Sequence, residues 1–438
     1  MTEDKILHSS IEHLHGPEEV PYGEEELVVV CLVRDGRPYV KSFVEHYRSL
    51  GVKHLFFLDN GSTDGTVEAL KNYDNVTIVR SKLPYKGYRL AFKRFLIDRF
   101  GRKDRWCLYA DIDELFDYPY SDVVGLNSFL GYLSSNSYTA VAAQMLDMFP
   151  EEPLSGREGL LEDEPLKELL RFYDISNFTR TSIKERLSLR NNTLESDDIE
   201  FFSGGIRGAI FGARPHLTKH PLVFSDGKLK PMEGLSLDSD HWVTNAKIAD
   251  ISCVLLHYKF LDGFFQKQAA QAVREGQYHN ASARYKRYLE VLEKNPALKM
   301  KQETARELRG VNDLLENGFL VVSEEYMMMV YEQEEEERKS DGHSLRGERG
   351  GPEDEAALYR ARAQAKAQSL RANRLKRHLK ELREQNQREV ERLSTRLARF
   401  RKKNRTLTQQ LQSIRASRSV RLLNKLARIR ARMLGRKH

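Results

Sequence analysis

The chain has 438 residues, of which 40% are hydrophobic and 31% charged, with a formal net charge of +7. That length supports a large core and more than one domain, while the charge content leaves part of the chain solvated. The polar start MTEDKILHSSIEHLHG and the lack of any run near the ~20 apolar residues of a membrane-spanning helix exclude a secretory leader and a bilayer span, so a cytoplasmic protein is expected, soluble or resting on the inner face of a membrane.

After a polar stretch over residues 1–24, Leu27 to Val33 (LVVVCLV) is a continuous, β-branched apolar run, the pattern of a strand buried on both faces. Asp35-Gly36-Arg37-Pro38 interrupts it. Val40, Phe43, Val44, Tyr47 and Leu50 then recur at helical spacing up to Gly51. His54 to Asp59 (HLFFLD) is a second buried strand. Strand, helix and strand within this span predict a parallel βαβ unit. The turn NGSTDGT leads into a helix near Val67 to Tyr73, followed by a strand over Val76 to Val79 and a helix over Leu90 to Phe100. Trp106 to Asp113 (WCLYADID) and Tyr138 to Met145 read as further buried strands. Glu151 to Glu200 is polar and reads as a long irregular insertion. Ile251 to Phe260 reads as a last strand, and residues 261–331 as mostly helical. Cys31, Cys107 and Cys253 each sit inside an apolar run, which fits reduced core residues rather than disulfides or a zinc site.

Residues 332–355 are charged and Gly-containing and read as a disordered linker. Beyond it, residues 356–438 form a basic coiled coil and amphipathic helix. Leu393, Leu397, Phe400, Asn404, Leu407, Leu411 and Ile414 alternate four and three apart, a coiled-coil seam with one polar register-setting position. Leu375, Leu379 and Leu382 are out of phase with it, which predicts a discontinuity of the seam near Asn386. Glu355 to His438 carries 26 Lys and Arg against 5 Asp and Glu, a net of +21 that leaves −14 on the rest of the chain. Such a tail calls for an anionic partner. Val420, Leu423, Leu426 and Ile429, with Arg and Lys between them, suit an anionic membrane surface, and an anionic glycan is the other partner the tail calls for. Little aromatic interleaving argues against nucleic acid. The seam predicts a homo-oligomer or pairing with another helix.

Chemistry concentrates in LDNGSTDGT and YADIDELF. Asp59 ends a buried strand, the edge of an open α/β sheet where ligands bind. Asn60, Ser62, Thr63 and Asp64 supply hydrogen-bonding groups for a base and ribose, although the same residues suit a capped βα turn. Asp111 and Asp113, two apart at a strand end, point the same way and repel each other unless a cation lies between them. Mg²⁺ or Mn²⁺ suits such oxygen ligands and would neutralise a diphosphate leaving group. Lys86 and Arg89, with Lys82, are candidates to neutralise phosphate, against the alternative of a solvated face. His257 ends an apolar run and is a candidate ligand for the same metal, or a satisfied histidine at a strand end.

On these residues, CLVRDGRPYVKSFVEHYRSLGVKHLFFLDNGSTDGT followed by YADIDELF resembles the glycosyltransferase family 2-like proteins of the GT-A superfamily. LLHYKFLDGFF, from Leu255 to Phe265, shares the likeness, which spans Leu27 to Tyr331. The resemblance implies a Rossmann-like, mostly parallel α/β catalytic domain over residues 25–260, completed by helices over 261–331. It implies transfer of a sugar from a nucleotide-sugar donor to a glycan or lipid-linked acceptor, dependence on Mn²⁺ or Mg²⁺, and inversion at the anomeric carbon. By position, Asp59 would meet the base or ribose, with Arg34 and Asp35 also on the nucleotide side. Asp111 would lie at the ribose and metal, and Asp113 at the metal. The chain departs from the family in having Asp35-Gly36 where many members have Asn-Glu. It also lacks a clear late Glu-Asp pair for the acceptor base. Asp240 is the first candidate for that base, ahead of Glu233 and Asp238. The competing readings are a non-catalytic scaffold of the same fold, and an anion- or nucleic-acid-binding coiled-coil protein.

Overall fold

The computed structural model describes residues 3–154, 165–184, 191–228, 230–231, 243–276, 281–340 and 352–435. The first helix, α1 (Glu3–Ser10), and strand β1 (Glu12–His15) precede the apolar runs. These runs become β2 (Leu27–Val33), β3 (His54–Asp59), β4 (Val76–Arg80) and β5 (Trp106–Tyr109). Helices α2 (Val40–Ser49), α3 (Thr66–Leu70) and α4 (Tyr85–Phe100) connect them. Parallel pairing runs β4–β3–β2–β5. Leu27, Val29, Cys31 and Val33 face a core shared with α2, and Val28, Val30 and Leu32 face one shared with α4. Burial on both faces is why these strands read as unbroken apolar runs.

The sheet continues from β5 through the antiparallel strand Leu222–Phe224 to β7 (Ala140–Asp147), and then to the parallel strand Lys247–His257. Among the described residues it has eleven strands and is mostly parallel at its centre. The chain runs outward from β2 to β4 and returns to β5 on the other side of β2. The C-terminal ends of β2 and β5 therefore flank the point where strand order reverses, the crevice in which open α/β sheets bind ligands. Strand β6 (Glu114–Asp117) runs antiparallel to Lys247–His257, with His257 opposite Glu114 on one side and Asp147 on the other. Register alone brings three ionisable residues to one level of the sheet.

Several expectations are corrected. In the polar N-terminal stretch, where no element was expected, Leu7 is buried and β1 pairs antiparallel with β4 at the sheet edge. A short, half-exposed edge strand needs no apolar alternation, so EHLH carried no strand signal. The insertion at 151–200 contains the helix Leu166–Leu169 and the strands Phe172–Tyr173, Phe178–Ser182 and Thr193–Leu194, and Glu200 opens the strand Glu200–Gly204. The expected linker begins inside the helix Glu324–Ser340, where Arg338 pairs with Glu334 and Glu335 one turn back. Such pairs support a helix without apolar residues. The long helix Pro352–Ala416 begins inside the expected linker, and its first turns belong to the body. Ala363, Ala367 and Leu370 are buried there, Lys366 reaches Glu316 at 2.6 Å and Arg371 meets Asp198 at 3.1 Å. The body therefore ends at Arg374 rather than residue 355, and Leu375–His438 is a separate unit. The three cysteines are free and buried, as expected. No helix among the described residues is long and apolar enough to cross a membrane.

One consequence of the packing is measurable. His46 on α2 is buried, with Nε2 2.7 Å from the Phe116 carbonyl and Nδ1 3.1 Å from the Lys167 ammonium. Nε2–H donates to the carbonyl and Nδ1 accepts from the ammonium, so a second ring proton would face a positive charge. Burial, then Lys167, push its pKa down to about 3. A depressed histidine contributes stability that is present above its unfolded pKa and lost as pH falls through the window between the two values. Unfolding free energy is expected to fall from pH 6.5 toward pH 4 more steeply in the parent than in His46→Gln, by about 1.4 kcal/mol per pH unit. Denaturant titrations across that range, giving equal slopes for the two proteins, would refute this.

Candidate active site

Two turns close on each other above β2 and β3. Asp59 is fully buried at the end of β3, and its oxygens accept from the Gly61 amide at 3.2 Å and the Ser62 amide at 3.0 Å. Arg80, its neighbour in register on β4, donates to it at 2.8 Å. Asn60 donates to the Ser81 and Leu83 carbonyls at 2.7 and 2.9 Å. Ser62 accepts from the Asp35 amide at 2.9 Å, and Asp35 accepts from the Thr63 amide at 2.7 Å. Asp64 accepts from the Arg37 amide at 2.9 Å and from Thr66. The NGSTD turn is thus a self-satisfied frame, with Asp59 holding it from below. Arg34 reaches across to Glu275 at 3.2 Å. Gly36 lies against the neighbouring carboxylate turn: a Cβ there would sit 2.9 Å from Val33 and 3.1 Å from Ile112. That contact is a reason for glycine at this position.

Strand β5 ends at Tyr109, so Asp111 and Asp113 belong to the turn between β5 and β6 rather than to a strand. Each has its own counter-cation, which corrects the expectation that only a bound ion could offset the pair. Asp111 accepts from the Tyr109 hydroxyl at 2.7 Å and lies 3.5 Å from Lys93 and 3.3 Å from Lys219. Burial opposes its ionisation, but Lys93 and then Lys219 outweigh it and hold the carboxyl well below the usual range. Lys219 is shared with Glu114 at 2.5 Å, and burial pushes Glu114 upward despite that contact. Asp111 keeps 35% of its side-chain surface exposed and is open to a ligand.

Asp113 faces His257, with 3.3 Å between Oδ2 and Nε2. Behind the imidazole, Nδ1 lies 2.5 Å from Asp147, and Asp147 takes a 2.7 Å hydrogen bond from the buried Arg207. Burial pushes His257 down, but Asp113 and Asp147 push harder and raise it. Burial works against Asp147 too, yet Arg207 and then His257 hold it at about 2. Asp113 is lowered because His257 outweighs its burial. With Nδ1–H committed to Asp147, a neutral imidazole would aim its Nε2 lone pair at the Asp113 carboxylate. The contact therefore needs a proton or a metal cation on that nitrogen. A histidine oriented from behind by a carboxylate is how proteins present imidazole to metals.

Among the described residues, no group of three or more His, Cys, Asp or Glu side chains is arranged to hold a metal. The donors fit a hard cation at Asp113 and His257 whose remaining positions are filled by phosphate oxygens and water, as Mg²⁺ sites commonly are. Asp111, between two lysines, fits a ribose hydroxyl better than a metal. Lys86 is exposed on α4 and Arg89 is partly buried there, and it is Lys93, one turn further on, that reaches Asp111. Asp240, Glu233 and Asp238 lie outside the described residues. The residues missed by sequence reading are Lys93, Glu114, Asp147, Arg207 and Lys219. Asp147 carried the same signal as Asp59, a carboxylate ending an apolar run, and Lys93, with Arg94, interrupts the apolar residues of LAFKRFLI. No protein-family model matches the chain, and no curated protein matches it significantly.

Proposed function

We propose that the chain is a glycosyltransferase of the GT-A type, moving a sugar from a nucleotide-sugar donor to a glycan or lipid-linked acceptor. The observation that carries the reading is the meeting of Asp111, Asp113 and His257 at the C-terminal edge of the sheet, beside the crevice between β2 and β5. In this reading Asp113 and His257 would hold a divalent cation, which would supply positive charge for the diphosphate of the donor. Asp147 and Arg207 fix the imidazole from behind. Asp111, kept ionised by Lys93 and Lys219, accepts a hydrogen bond from the ribose. The framed turn over residues 59–66 supplies the wall against which the nucleoside lies, and Asp59 shapes that wall without touching the ligand.

A second reading, a scaffold of the same fold without catalysis, is favoured by one observation. The carboxylate turn has counter-charges of its own in Lys93, Lys219 and His257. A thermal-shift panel of nucleoside diphosphates with Mn²⁺ or Mg²⁺ separates the two. The transferase reading expects one nucleotide, with metal, to raise the melting temperature. At a concentration a hundred times its Kd the added stability is about 2.7 kcal/mol. No response to any nucleotide with either metal, together with no hydrolysis of nucleotide-sugars, favours the scaffold.

A further inference from the structure

The long helix stops at Ala416 and a separate helix, Arg418–Leu434, begins after Ser417. Ser417 leaves helical geometry (φ −61°, ψ 144°) and its hydroxyl accepts from the Val420 amide at 3.4 Å, capping the new helix. Arg421 folds back to donate to the Ala416 carbonyl at 2.9 Å, closing the old one. The break is thus held by side chains of the second helix and its cap.

This helix cannot extend the coiled-coil seam. Continued in phase from Leu411 and Ile414, the seam would place Arg418 and Arg421 at its core positions. Its apolar surface also has another shape. Projected at about 100° per residue, Leu422, Leu423, Leu426, Ile429, Met433 and Leu434 spread over about 140°, wider than a two-position seam. Each is at least 42% exposed, and no residue of the helix is buried. Arg418, Arg421, Lys425, Arg428 and Arg432 gather in an arc of about 80° that flanks the apolar one, with Arg418 about 20° from Ile429 and Arg430 within the apolar arc. The helix has no acidic residue.

We propose that Arg418–Leu434 docks on the surface of an anionic lipid bilayer, lying in the interface with its apolar arc in the acyl boundary and its basic arc among the headgroups. A broad, flat apolar face needs a broad apolar medium, and the unbalanced positive charge needs an anionic rim; a bilayer of anionic lipid offers both at once. Nucleic acid would satisfy the charge and leave six large apolar side chains in water. This inference is independent of the transferase reading.

The test uses the full chain with phosphatidylcholine vesicles, with and without phosphatidylglycerol, in co-sedimentation at low and high salt. Stronger binding to the anionic vesicles, weakened by salt, is expected. Lys425→Gln with Arg428→Gln should weaken it roughly tenfold to thirtyfold. Leu423→Glu with Ile429→Glu should weaken it about a hundredfold or more. Both pairs lie on an exposed helix, so circular dichroism and the melting temperature of the body should match the parent. Equal binding to neutral and anionic vesicles, or vesicle binding untouched by the Leu423 and Ile429 changes, overturns the proposal. So does binding to duplex DNA that outcompetes anionic vesicles and is indifferent to those two changes.

Discussion

If the proposed transferase reading holds, Asp113→Asn is expected to reduce sugar transfer by at least about a hundredfold while leaving the protein folded. Asp113 supplies the carboxylate oxygen that faces His257 Nε2 at 3.3 Å. An amide in its place is a neutral, weaker donor to a hard cation, and its NH₂ group can turn toward the imidazole. The backbone is little affected, because the Asp113 carbonyl, not its side chain, accepts from the Tyr258 amide at 2.8 Å. The structural effect is confined to His257, which loses one of the two carboxylates that raise its pKa and keeps Asp147. Nucleotide release from the donor should be measured with and without chelator, alongside the shift in melting temperature that Mn²⁺ causes in parent and variant. Undiminished transfer by Asp113→Asn, or by the parent in chelator, rejects the metal role. A Mn²⁺-induced shift that survives the substitution moves the metal elsewhere in the chain.

Arg207→Met is expected to destabilise the body by about 3–5 kcal/mol, because it leaves a buried carboxylate without its guanidinium partner. Arg207 and Asp147 keep only 7% and 3% of their side-chain surface exposed, so water does not replace the lost bond. What remains for Asp147 is His257, itself divided between two carboxylates. The cost lies in the orphaned charge more than in the lost bond. The double variant Arg207→Met with Asp147→Leu should therefore recover much of the loss, since replacing both members of a buried pair by apolar groups is often neutral. Urea unfolding of the parent, both single variants and the double variant forms the cycle. Additive single effects, or a loss below about 1 kcal/mol for Arg207→Met, would show that the pair is not coupled as its geometry requires.

The sequence by itself determined the central strands, because burial on both faces demands continuous apolar runs and LVVVCLV and HLFFLD have few other solutions. It also determined that Asp59 ends a strand, that Asp111 and Asp113 lie two apart where another gives out, and that the tail is basic and amphipathic. Polar elements were not legible. The edge strand Glu12–His15 and the charged end of the helix Glu324–Ser340 are held by pairing and by ion pairs, neither of which leaves an apolar period. Only the tertiary structure decided what surrounds each carboxylate. His257 meets Asp147 across 110 residues, Lys219 meets Asp111 across 108, and Arg207 meets Asp147 across 60. Local spacing says which charges lie near one strand end. Whether a carboxylate there repels its neighbour, binds an ion or rests against a lysine depends on strands brought alongside by sheet order and register, and these are fixed by the packing of the whole core.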